Sequence, residues 1–122
     1  MKPQSDLHNV DGVPWTELPA QTTLATGPGV VEKLLSLDPD NRDNHTRLVK
    51  LPAGFRSTAP QVHPFWEEVY VVKGTLIDEG NGITAKAGDY CCRQPGMSHG
   101  PFYCPDEVIA YEIHYMPDPN WR

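Results

Sequence analysis

The stretch GFRSTAPQVHPFWEEVYVVKG, residues 54–74, read together with GDYCCRQPGMSHGPFY, residues 88–103, decides the reading of this chain. Each opens on a glycine, carries β-branched and aromatic residues, and is punctuated by Pro or Gly, the composition of short strands between turns. Within them stand His63, Glu67 and His99. Gln61 precedes His63 by two residues, so on an extended strand both side chains share a face. A bend at Pro64 can return Glu67 to the same interior, and His99 arrives from a distant segment. Two histidines and a carboxylate are a metal-ligand set that leaves coordination positions open.

Working outward, the same punctuation continues. Thirteen Pro and ten Gly in 122 residues leave no room for sustained helical periodicity. VVEKLLSL (30–37) is the only helix-like segment and reads equally well as a strand, and DPDNRDN (38–44) reads as a turn cluster. TRLVKL (46–51), EEVYVVKG (67–74), TLID (75–78), ITAKAG (83–88), DYCCR (89–93) and VIAYEIHYM (108–116) read as strands, the last as the longest. EGNG between two of them holds Asn81-Gly82, a strong hairpin signal. The expectation is an all-β sandwich or barrel over residues 31–122, preceded by an arm over residues 1–30 that adds edge strands or packs on a neighbour.

Bulk properties narrow the function classes. A chain of 122 residues is expected to form one domain and supports its own core. Hydrophobic content is 39%, and no apolar run approaches the ~18 residues of a membrane span. The polar N-terminus lacks a signal-peptide core, which points to the cytoplasm. A net charge of −6 with scattered Lys and Arg argues against nucleic acid as a partner. Cys91, Cys92 and Cys104 are an odd set, and strand neighbours face opposite ways, so reduced and mostly buried structural thiols are expected.

At these spacings the chain resembles the cupin family of small β-barrels. The family's first motif has the form G-x5-H-x-H-x3,4-E-x6-G, and Gly54, Gln61, His63, Glu67 and Gly74 stand in its places, with six residues after Gly54. The second has the form G-x5-P-x-G-x2-H-x3-N, with Gly88, Gln94, Gly96, His99 and Tyr103 in its places. The resemblance implies a double-stranded β-helix, or jelly-roll, barrel. Gln61 stands where the family has its first histidine, so the implied set shrinks from three His and one Glu to His63, Glu67 and His99. Gln61 is either a weak oxygen ligand or a hydrogen-bond donor to bound substrate or water. The second motif is most similar to small bacterial cupins of the anti-sigma-factor zinc-binding type and to aryl-ketone or diketone dioxygenases.

Several residues have both a chemical and a plain structural reading. The metal-binding reading of His63, Glu67 and His99 stands against a cupin that lost its metal with its first histidine. His114 follows Glu112 by two residues and could be a general base, an added ligand, or an ordinary sheet histidine. Phe65, Met97, Phe102, Tyr103 and Tyr111 form either a substrate wall, with Trp66 beside them, or core filling. Glu68 should face away from Glu67, and Arg47, Arg56 and Arg93 are candidates to receive a substrate carboxylate. His8 and His45, in polar turn-rich sequence, read as surface residues.

The favoured expectation is an O2-using dioxygenase of a small aromatic ketone, diketone or phenol, with one Fe(II) per chain. Zinc, manganese or nickel would instead fit a redox-neutral isomerase, lyase or decarboxylase. A non-catalytic ligand-binding or sensor module is the third reading. A homodimer is expected, with the arm available to reach a neighbour.

Overall fold

The computed structural model describes residues 1–18 and 29–117. Parts of the expected arm (19–28) and of the expected barrel (118–122) lie outside the described residues. Among the described residues, nine strands follow a short 3-10 turn at Val10–Gly12: β1 Thr16–Glu17, β2 Val31–Asp38, β3 Asn41–Leu51, β4 Trp66–Lys73, β5 Thr75–Asp78, β6 Ile83–Lys86, β7 Tyr90–Arg93, β8 Phe102–Tyr103 and β9 Val108–Tyr115. They form two antiparallel sheets, a six-stranded one ordered β1-β2-β3-β9-β4-β7 and a three-stranded one ordered β6-β5-β8. Placing β9 between β3 and β4 requires a return crossover, the jelly-roll feature that brings distant segments side by side.

The arm contributes β1, whose Thr16 and Glu17 pair with Glu32 and Val31 at the sheet edge. The ambiguous segment VVEKLLSL is strand, within β2 from its second residue on. The turn cluster expected over residues 38–44 contracts to Pro39 and Asp40, and Asn41 already belongs to β3. At 11 residues β3, not β9 with 8, is the longest strand. Its first residues, 41–45, do not read as strand because even the inward-facing His45 is polar.

Alternation along the large sheet sorts its inner face into rows. His45 lies opposite His114, Arg47 opposite Glu112, Val49 opposite Ala110 and Leu51 opposite Val108. On the other side of β9, Glu67 lies opposite His114 and Val71 opposite Ala110. One end of the interior is therefore apolar and packs with Val30, Phe55, Val69 and Cys104 as the core. The other end is charged. Gly74 closes the β4–β5 connection at φ 86°, where any Cβ would collide with the carbonyl oxygen of Glu107.

Candidate metal centre

The donor side of the polar end is built from three segments. His63 sits just before β4, its carbonyl accepting from the Gly96 N–H at 2.9 Å. Its ring stacks on Phe65 at 4.1 Å, with the planes 2° apart. Glu67, the second residue of β4, is held between β9 and β7, opposite His114 and Arg93. His99 is fixed by a reciprocal backbone bridge with Gln61, at 2.7 and 3.0 Å.

The ring orientations have a common logic. His63 Nδ1 lies 3.2 Å from the Phe65 carbonyl and His99 Nδ1 lies 3.3 Å from the Met97 carbonyl. With Nδ1–H donating to a carbonyl, each Nε2 carries its lone pair inward, the arrangement that a second-sphere partner imposes on a ligating histidine. His63 Nε2 is 3.8 Å from Glu67 Oε2, and His99 Nε2 is 3.8 Å from Glu67 Oε1. Both Nε2 atoms are buried without a hydrogen-bond partner. Buried polar atoms are rarely left so. Donors around one ion at bonds of about 2.0–2.2 Å stand roughly 3.0–3.5 Å apart, so a small closure would satisfy all three. Among the described residues, His63, Glu67 and His99 form one group whose donor atoms lie within 4.8 Å of one another. The donor set fits a divalent transition metal.

Electrostatics favour the ligating forms. Burial alone would push the Glu67 carboxyl up, but the adjacent His114, then His99 and His63, hold it well below the usual carboxylate range. Burial pulls the His99 ring down, aided by Arg93 and His63 and opposed by Glu67, so the ring stays neutral further into acid.

Glu67 and His99 form part of the wall of a cavity of about 370 Å³, with Gln61, Met97, Phe102 and Arg93 beside them. Three residues expected in that wall lie elsewhere. Phe65 is sandwiched between the His63 and His114 rings, behind the donors. Tyr103 lies under the Arg56 guanidinium at 4.2 Å. Tyr111 is on the outer face of β9, because inward positions there are 108, 110, 112 and 114. Trp66 likewise stacks on Tyr115 outside. Glu68 faces outward and accepts from Tyr90.

Of the three arginines, Arg47 touches the cavity wall but is committed to Glu32 at 3.0 Å and Glu112 at 2.8 Å, and Arg56 pairs with Glu79 on the surface. Arg93 also reaches the cavity, 3.3 Å from Glu67 Oε1. His114 is buried and does not line the cavity; its Nε2 is 2.8 Å from Glu67 Oε2. His45, expected at the surface, is 3% exposed and packs its ring on His114 at 4.4 Å. Its Nδ1 is tied to the Arg42 carbonyl at 2.6 Å. Of the thiols only Cys104 is fully buried; Cys92 is exposed and Cys91 faces the cavity. Sequence reasoning missed the Glu32–Arg47–Glu112 network. Its only trace was the two-residue spacing of His45 with Arg47 and of Glu112 with His114.

Comparison with solved structures places this geometry among known barrels. An acetylacetone dioxygenase from Acinetobacter johnsonii superposes with a TM-score of 0.69 at 23% identity, over 98% of this chain and 82% of that one. The polyketide cyclase RemF from Streptomyces resistomycificus superposes with a TM-score of 0.68 at 18% identity, over 95% and 82%. The anti-sigma factor ChrR, in its complex with SigE from Rhodobacter sphaeroides, gives a TM-score of 0.60 at 22% identity, over 85% of this chain and 50% of that one. At these identities the likeness concerns the fold. No curated protein matches the chain by sequence. The model of the ChrR cupin-like domain matches residues 4–117, nearly the whole length, and the chain belongs to that family of cupins.

Proposed function

We propose that this cupin is a metal-dependent enzyme that uses O2 to oxidise or cleave a small ketone, diketone or phenol. The observation that carries the metal-dependent part is the pair of buried, unpartnered Nε2 atoms of His63 and His99 facing the Glu67 carboxylate beside a cavity. A divalent metal there, Fe(II) in the favoured reading and zinc, manganese or nickel otherwise, would supply open positions for substrate and O2. His63, Glu67 and His99 would hold it. Gln61, at the cavity wall, would hydrogen-bond substrate or water through its amide. Arg93 offers a cation to an enolate or carboxylate. Phe102 and Met97, with Val69 and Val71 deeper in, form apolar wall that keeps water from a flat substrate. The dioxygenase likeness supports the choice of substrate class by fold analogy alone.

The chain is expected to act as a homodimer, with Tyr70, Val72 and Tyr90 exposed on the outer face of β4 and β7 as the apolar surface to cover. Among the described residues no helix is long and apolar enough to cross a membrane.

The test is metal analysis of untagged protein reconstituted with Fe(II), followed by O2 consumption with acetylacetone, an aryl ketone and a phenol. Close to one iron per chain and substrate-dependent O2 uptake are expected. Metal binding without O2 uptake on any of them would favour redox-neutral Lewis-acid chemistry. No metal after reconstitution would leave a ligand-binding module.

A further inference from the structure

We infer that His114 is a positioning residue that acts on the metal through Glu67, holding the carboxylate from behind. This rests on the metal reading of His63, Glu67 and His99. Glu67 and His114 are direct cross-strand partners, both inward on adjacent strands. His114 Nε2 reaches Glu67 Oε2 at 2.8 Å, whereas His63 and His99 stand 3.8 Å from the carboxylate. The short contact is off the axis of a hydrogen bond, so Nε2 has no aligned partner as the ring stands. It is nonetheless the closest approach that any of the three rings makes to the carboxylate.

Two other roles fit less well. A general base must touch the substrate, but His114 is 0% exposed and absent from the cavity wall. A ligand should share an ion with His63 and His99. His114 instead groups with Glu67 and Glu112. That second group is a poor cation site, because Glu112 Oε1 already accepts from Arg47 Nε at 2.9 Å and meets Arg47 Nη2 at 2.8 Å.

What remains is a buried ring packed between two others. Phe65 stacks on it at 4.6 Å and His45 tilts against it at 4.4 Å, with His45 itself anchored to the Arg42 carbonyl. A clamped ring against one carboxylate oxygen fixes the direction in which Glu67 presents itself to His63 and His99. Outer partners of this kind set metal affinity and geometry without touching the ion.

The experiment compares His114→Gln, whose amide nitrogen falls near the place of Nε2, with His114→Leu and His114→Asn, which put no donor there. Metal affinity by chelator competition and the absorption spectrum of the Co(II)-loaded protein are the readouts, with His99→Ala alongside. His114→Leu and His114→Asn should weaken binding ~10–100-fold and shift the Co(II) bands, and His114→Gln should restore both most of the way. If His114→Leu fails to fold, the Asn and Gln pair decides alone. Equal affinity and spectrum across the variants would overturn the inference. So would loss of metal in all of them as complete as in His99→Ala, which would make His114 a ligand. Should His99→Ala bind metal like the parent, the metal reading itself fails first.

Discussion

The two ends of the barrel interior are lined by the same strands yet are built on opposite principles. At one end Val49, Leu51, Val71, Val108 and Ala110 meet across β3, β9 and β4 as an ordinary apolar core. Two to four residues along the same strands, Arg47, Glu112, Glu67 and His114 are just as buried or nearly so, but charged or titratable. The apolar end stabilises by removing surface from water and tolerates small changes in shape. The polar end is stable only because each charge has a partner, and it concentrates donors where a metal can be held. The difference shows how one sheet supplies both a foundation and a reactive site: alternation sets which side chains enter, and position along the strand sets what they do.

The largest expected effect is at the donors. His99→Ala or Glu67→Ala should lower metal affinity by at least ~100-fold, read by metal analysis after dialysis, while the fold persists by circular dichroism. Unchanged metal content would break the contrast by removing chemistry from the polar end.

Next comes the buried ion network. Arg47→Met leaves Glu32 and Glu112 facing each other without their shared cation and should cost ~3–5 kcal/mol in urea unfolding. Adding Glu32→Leu and Glu112→Leu should recover most of that loss. If Arg47→Met alone proves neutral, the network is not what holds that end together.

A change at the apolar end is predicted to be smaller. Val71→Ala should cost ~1–3 kcal/mol and leave metal affinity within a few-fold of the parent. A matching loss of metal affinity would mean that the two ends are not separable.

A further effect is the pH dependence from His45, whose ring burial holds down to about 3 from its ordinary 6.5, with His114 nearby adding to the shift. The unfolded chain then binds a proton that the folded one refuses. Stability from this group is therefore present above about 6.5 and is lost as pH falls from there towards 3. His45→Gln should flatten this part of the pH–stability curve, measured by urea unfolding at several pH values; an unchanged slope would show that His45 does not set it.

Much of the barrel was legible because its strands alternate between turn residues, and the 61–67 and 88–99 spacings picked out three donor candidates that the fold brings together. What escaped was wherever burial and polarity coincide. Residues 41–44 read as turn because Asn and Asp are turn formers, yet they begin β3, where cross-strand pairing with β2 overrides composition. His45 read as surface for the same reason. Tyr111 and Tyr103 read as pocket residues because both stand near the motifs, while side-chain direction followed the pleat.

Length, composition and spacing alone settle the all-β class, most strand positions and His63, Glu67 and His99 as the donor candidates, since period-two alternation and turn chemistry are local. Only the tertiary structure decides that β9 runs between β3 and β4. That placement sets His114 against Glu67 and closes Arg47 between two carboxylates. Of the three candidate arginines it puts Arg47 and Arg93 at the cavity wall, each beside a carboxylate, and Arg56 on the surface. These are contacts between residues far apart in the chain, fixed by strand register, and no local pattern encodes register across a crossover.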